Sequence, residues 1–385
     1  MRTRLSVSAP SVSRFLVILT GLIVSSCQFC FGAPYTLSKL GFLSDDPNFQ
    51  QTITYAINRS GQVTGYSELS SPSIGIHLIS YSVGTLHDIS PSGPDSVGTG
   101  INDSGLIVGY TFYGGRAFLY DGTMHDLGTL NGSGIGQSYA TGINNLGNVV
   151  GDSTSASQYM RIHAFVYQNG SMQELGTFPS LNFFDYATLE THATAINSLG
   201  QIAGYASAPS EFHASIYTPG PQGYTIQDLG VGAGVASKAT ALNDLGDVAG
   251  DLYFGNGITH VFLYSNGVMH DLGVPSDATT VDVTGINNKG QIIGTASAFG
   301  SKYPFLYSDG KFQNLNLLVD PMRSDLTEAL AINDAGQITG RLINAPVQDG
   351  FLLTPTPEPS SLVLAALGFA GLTGWRWRRR KRSQA

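Results

Sequence analysis

The nine-residue pattern Ile-Asn-x-x-Gly-x-x-x-Gly recurs seven times in this chain and narrows what it can fold into more than any other feature. Copies start at residues 57, 101, 143, 196, 242, 286 and 332, with Leu242 in place of Ile in the fifth, and successive starts lie 44, 42, 53, 46, 44 and 46 residues apart. A period of this size is the mark of stacked units, each too small to bury its own faces and each dependent on its neighbours.

Two further segments accompany the pattern. One follows every copy, as in HAFVYQNG at 163, HVFLYSNG at 260 and YPFLYSDG at 303. The other comes next, as in MHDLG at 124, MQELG at 172 and MHDLG at 269, and is missing after the seventh copy. A segment of the same shape, YTLSKLG at 35, precedes the first copy. Each unit therefore reads as four short strands. Around Asn144 these fall at 140–143, 148–153, 163–167 and 172–176, with a tight turn over 144–147 and a hairpin at Asn169-Gly170. Asn and Asp side chains bond nearby amides in such turns, and Gly supplies the positive φ. The 48 glycines and the low charged fraction, 12%, suit many short strands rather than helices.

Four antiparallel strands in about 45 residues is the size of one propeller blade. The expected fold is all-β: a seven-bladed β-propeller closed by the N-terminal strand, which supplies the outermost strand of the last blade and hides its edge. An open β-solenoid is the rival and leaves the displaced strand unexplained. The domain plan is a signal peptide (1–33), the seven-repeat propeller (34–354), a Pro-Glu-Pro linker (355–361), a transmembrane helix (362–377) and a basic cytoplasmic tail (378–385).

Charge is strongly segregated. Arg2, Arg4 and Arg14 open the chain, six basic residues lie within 376–382, and residues 34–357 hold 10 basic against 26 acidic residues, a net charge of −16. Such a body repels phosphate backbones and anionic lipid, which argues against nucleic-acid binding. The N-terminus has the parts of a secretion signal: basic residues, the apolar run 15–24, and small residues before a cut at Gly32 or Ala33. Alternatively, Val24-Ser25-Ser26-Cys27 reads as a lipoprotein box with Cys27 lipidated. Both cysteines, Cys27 and Cys30, fall in this region, so cleavage at Gly32 removes every thiol, and with it disulfides, cysteine metal sites and a cysteine nucleophile.

At the other end, Pro357-Glu358-Pro359 precedes the apolar run from Leu362 to Trp375, then Trp377 and the cluster Arg378-Arg379-Arg380. Interfacial tryptophans and snorkelling arginines extend this short run toward a membrane span and place the arginines on the cytoplasmic side. The order of the three parts resembles the PEP-CTERM sorting signal of Gram-negative bacteria, with Thr356 where that family usually has Val. The resemblance implies an inner-membrane exosortase as partner, which cuts near the motif and passes the protein outward, in organisms that make exopolysaccharide. Residues 35–355 likewise resemble the HAF family of extracellular repeats, named for the motif seen at His163, Ala164 and Phe165. That resemblance implies a location and a repeat but no activity.

The repeated residues read first as framework. Asn58, Asn102, Asn144, Asn197, Asn243, Asn287 and Asn333 stand where the first strand of each unit turns, and capping of that turn explains them; a ring of amides holding an ion or a water is the alternative. The second glycines, from Gly65 to Gly340, are expected where neighbouring blades approach closely. Histidines at 77, 163, 213 and 260 share one repeat position with Arg116 and Tyr303. No zinc, calcium, phosphate-loop or nucleophile-elbow pattern is present, so no metal or cofactor is expected.

Function is expected on the side whose connections vary in length. There the longest excursion carries Phe183, Phe184, Tyr186, Glu190 and His192, with Glu211 on the next loop; aromatics beside carboxylates suit a sugar platform. The leading expectation is a non-enzymatic, exported surface or matrix protein that binds extracellular polysaccharide. A polysaccharide-processing glycosidase or lyase using Asp185, Glu190 or Glu211 is the second, and ice binding the third.

Overall fold

The computed structural model describes residues 34–70, 75–90, 93–132, 136–155, 161–178, 189–208, 211–344 and 347–356. The signal region, Phe183, Phe184, Tyr186, the Pro357-Glu358-Pro359 motif, the apolar run from Leu362, Trp375, Trp377 and the arginine cluster lie outside them. Among the described residues, 28 strands form seven four-stranded antiparallel sheets, a seven-bladed β-propeller. Helix is confined to a 3-10 turn and the five-residue Leu315–Val319.

Each blade runs A-B-C-D from the channel outward. Around Asn144 the strands are Ser138–Ile143, Val149–Thr154, Ile162–Gln168 and Ser171–Glu174, within two residues of the bounds expected from sequence. The last blade takes its outermost strand from the start of the chain: Tyr35–Lys39 pairs antiparallel with Val347–Pro355, in the register Tyr35↔Pro355 to Lys39↔Phe351. Behind this seam, Leu40 packs with Val63 and Tyr81 of the first blade and with Leu352, so ring closure also builds core.

Hydrophobic clusters lie between blades. One unites Ala203, Ala214 and Ile216 of the fourth blade with Val248, Leu252 and Phe262 of the fifth. A single blade would expose both of these surfaces, which is why the fold needs the whole ring. Asn169 (φ 51°) and Gly170 (φ 77°) form the hairpin turn that their sequence dictates.

The second glycine of each motif has a different cause from the one expected. Strand A carries a β-bulge in every blade, and the glycine of strand B faces it. A Cβ on Gly250 would lie 2.0 Å from the carbonyl oxygen of Lys238 and 2.8 Å from the ring of Phe262, both in the same blade. Equivalent collisions with the blade's own strand A occur at Gly65, Gly109, Gly151, Gly204, Gly294 and Gly340. The glycines therefore serve the bulge inside each blade, not the approach of neighbouring blades.

Candidate functional site

The channel's two ends differ in character. At the A-B turn end a cavity of about 400 Å³ is lined by the seven repeated isoleucine or leucine residues, the seven asparagines and the residues that follow them. In the first blade the Asn58 Oδ1 accepts the amide N–H groups of Ser60 and Gln62, which closes the turn. Its Nδ2 donates to the main-chain carbonyl of Asn102, one blade on, at 3.1 Å. The same side-chain donation runs from Asn102 to Asn144, Asn197, Asn243, Asn287, Asn333 and back to Asn58. Capping is thus half of their role; the other half is a closed circle of seven inter-blade bonds. The carboxamides are spent at both atoms, so they are framework rather than an ion-holding ring.

Two further sets of bonds join the blades. Asp103, Asp244 and Asp334 each accept a main-chain N–H from the preceding blade. The bulge threonines Thr99, Thr141, Thr194 and Thr284 donate to the strand A carbonyls of Ala140, Ala193, Ala239 and Ala329 in the following blade.

The other end, where the B-C and D-A connections lie, breaks the repeat. One residue past the second glycine stand Tyr66, Tyr110, Asp152, Tyr205, Asp251, Thr295 and Arg341, at a single register position on strand B. Opposite them on strand A stand Ile53, Val97, Tyr139, His192, Lys238, Asp282 and Glu328. Some of these side chains reach to the neighbouring blade, and others pair within their own. The ring of Tyr110 meets Tyr139 edge-on at 5.1 Å between centroids. His192 Nδ1 lies 2.7 Å from Asp152 Oδ2 and its ring stacks on Tyr205 at 4.5 Å. The Lys238 ammonium sits 4.8 Å from the centre of Tyr205, 5.6 Å from Phe212 and 5.8 Å from Tyr253. Arg341 and Glu328 pair at 2.6 Å.

Burial pushes the phenols of Tyr66 and Tyr205 up to about 12. Asp251 is 5% exposed, and burial pushes its carboxyl up to about 7. The Val283 N–H and the charge of Lys238 work against that rise, while Asp282 adds to it. The same face presents exposed aromatics on its loops: Phe112 (54%), Tyr113 (77%) and Phe299 (98%), the last held at φ 48° at the tip of a B-C hairpin.

Of the residues singled out from sequence, His192 belongs to this belt, and Glu190 sits beside it, paired with Arg161 at 3.4 Å. Glu211 is exposed, opens the strand that begins at Phe212, and contributes its main-chain carbonyl to Ala208. The belt itself was missed. Its signal is the residue after each second glycine, which changes from blade to blade while the glycine does not. The strand C histidines each bring Nδ1 within 3 Å of a strand D acid, His77 to Asp88, His163 to Glu174, His213 to Asp228 and His260 to Asp271, and Arg116 forms an ion pair with Asp126 at the same place. Among the described residues no group of three His, Cys, Asp or Glu side chains is placed to hold a metal ion. No helix among them is long and apolar enough to cross a membrane.

Residues 123–313 match the family described as "Protein of unknown function (DUF3466)", and residues 355–380 match the PEP-CTERM protein-sorting motif. No curated protein matches the chain. Among solved structures, a puromycin-hydrolysing peptidase of Mycobacterium tuberculosis aligns with a TM-score of 0.52 and 10% identity, over 79% of this chain and 51% of that one, so this chain spans about half of that protein's length. An oligogalacturonate lyase in complex with manganese aligns at 0.48 and 9%, over 84% and 91%. A gluconolactonase of Xanthomonas campestris aligns at 0.38 and 13%, over 65% and 82%. At such identities likeness concerns the fold alone. The chain is a seven-bladed propeller with a PEP-CTERM motif at its C-terminal end, and that motif implies recognition by an exosortase and export to a cell-surface or extracellular location.

Proposed function

We propose that this exported protein binds extracellular polysaccharide, without processing it, at the variable-loop face of the propeller. The observation that carries this reading is the belt at one register position, where half-buried tyrosines and charged groups follow the repeated glycine. Aromatic faces stack on the apolar faces of sugar rings, and carboxylates accept from sugar hydroxyls. Phe112, Tyr113 and Phe299 extend the aromatic surface outward, where a polymer rather than a monosaccharide would reach them. The test is retention of the purified protein on the producing organism's exopolysaccharide at low and high salt. Retention that weakens about tenfold in Tyr205→Ala, the loss of about 1.4 kcal/mol, supports the reading. Equal retention of both proteins, or none of either, refutes it.

A second reading, a glycosidase or lyase, draws on Asp251 and its neighbour Asp282: burial pushes the Asp251 carboxyl up to about 7. Glycosidic cleavage uses a pair of carboxyl groups, one of them an acid that keeps its proton to higher pH than usual. The reading requires an activity on that polysaccharide that Asp251→Asn or Glu190→Gln abolishes; activity untouched by both substitutions removes these groups from consideration.

A further inference from the structure

Strand direction fixes where the body of this protein begins and ends. Strand C of the last blade runs toward the A-B turn end and finishes at Pro355, beside the turn of its own blade, where Pro355 lies 3.3 Å from the position a Cβ on Gly336 would take. The closing strand starts at the same place, and the Thr356 N–H donates to the Pro34 carbonyl at 2.9 Å. The segment leading from the secretion signal and the segment leading to the sorting tail therefore meet the propeller at one point, on the face opposite the tyrosine belt. Only five residues, 357–361, separate Thr356 from the apolar run that starts at Leu362. Fully extended they reach about 17 Å, so a bilayer holding residues 362–377 lies close beneath this face.

The same face has an apolar feature that the fold does not require. The third residue of the A-B turn is Ser60, Ser104, Leu146, Leu199, Leu245, Lys289 and Ala335 around the ring. Its N–H caps the asparagine whichever side chain it carries, as Ser60, Leu146 and Lys289 all show. Serine at this place adds a hydroxyl bond to the same Oδ1, yet three consecutive blades have leucine there, which adds none and is 72%, 65% and 69% exposed. They belong to the third, fourth and fifth blades, and the first two of these lie across the ring from the last blade, where the tail departs. An edge tether and an apolar contact on the far side of the axis define a plane.

We propose that the A-B turn face rests on the lipid bilayer while the chain is held by its C-terminal tail, with Leu146, Leu199 and Leu245 in the headgroup and upper acyl region. The inference rests on residues 362–377 being the membrane-held part of the sorting tail, and it is independent of what the opposite face binds. Held in this way, the propeller turns its belt and its exposed aromatics away from the membrane. The leucines insert as the apolar side of an interfacial element does, to a depth of about 5–10 Å.

The test uses the full chain, with Cys27 and Cys30 replaced by Ser, reconstituted into vesicles of the uncharged lipids phosphatidylethanolamine and phosphatidylcholine containing spin-labelled lipid. A fluorophore is attached in turn at Leu146→Cys, Leu199→Cys, Leu245→Cys and Lys289→Cys on one face, and at Tyr113→Cys and Phe299→Cys on the other. The expected result is loss of fluorescence at the first four positions and none at the last two. Quenching on both faces, on neither, or only at Tyr113→Cys and Phe299→Cys overturns the proposal. Replacing all three leucines by Ser should reduce quenching of the probe at Lys289→Cys. Unchanged quenching there would show that the tether alone sets the orientation and would remove the leucine contact.

Discussion

The side-chain amide of Asn333 in the last blade donates to the main-chain carbonyl of Asn58 in the first, at 3.0 Å and across 275 positions of sequence. It is the bond that six other asparagines make to their neighbours, so the joint between the chain's ends is built like every other joint in the ring. Asn333 is 6% exposed and also accepts the Gln337 N–H. Asn333→Ala should cost about 3 kcal/mol, since a cap and a buried inter-blade bond go together. Asn333→Asp keeps the acceptor and loses the donor, and should be no better. Urea unfolding midpoints decide; a loss below about 1 kcal/mol in Asn333→Ala, the size of an ordinary exposed bond, would make the circle decorative.

Removal of residues 34–41 should open the seam. The edge of Val347–Pro355 would be bare and Leu40 gone from its contact with Val63 and Tyr81. The shortened protein should melt earlier and self-associate on size exclusion, and a synthetic peptide of residues 35–41 should reverse both changes. A stable monomer without the strand would contradict the closure.

Glycine substitutions separate bulge from loop. Gly250→Ala places a methyl 2.0 Å from a carbonyl oxygen that belongs to the sheet and cannot retreat, and should destabilise by about 3 kcal/mol or prevent folding. Gly255→Ala, where a Cβ meets nothing within 4 Å and φ is not positive, should change stability by less than about 0.5 kcal/mol. Equal thermal shifts for the two would refute the assignment of the repeated glycine to the bulge.

Asp251 makes stability depend on pH in a defined direction. Its folded-state carboxyl titrates near 7, above its ordinary 3.8, because burial disfavours the charge. The folded protein therefore holds a proton that the unfolded chain releases, and this contribution is complete below about pH 4 and lost as pH rises through 7. Asp251→Asn does not titrate, so its stability relative to the parent should grow between pH 4 and pH 8, by on the order of 4 kcal/mol at most. A difference that stays flat across that range would show that the carboxyl is not buried as charged.

Much of this fold could be read before any coordinates. Asn144 and Gly147 marked a turn, Asn169-Gly170 marked a hairpin, and the orphan segment at Tyr35 pointed to its vacancy after Asn333, because these signals act over a few residues or repeat at a fixed period. The belt was less legible. Tyr205, Lys238 and Tyr253 are separated by 33 and 15 positions, and nothing local to any of them says that their side chains converge. The long excursion near Phe183, where polar and aromatic residues are dense in sequence, is the stronger local signal. His192 was found there, but its partners Asp152 and Tyr205 come from other strands.

The sequence by itself determined the unit, the number of units, the turns, and the presence of a sorting motif at the C-terminal end, since each depends on residue type and spacing along the chain. Which side chains meet was decided only by the tertiary structure. Seven copies of one register position are brought around a common channel by the ring, and the direction of the final strand decides which face the tail leaves from. Both follow from how blades pack and in which direction strands run, and neither is encoded at any single position.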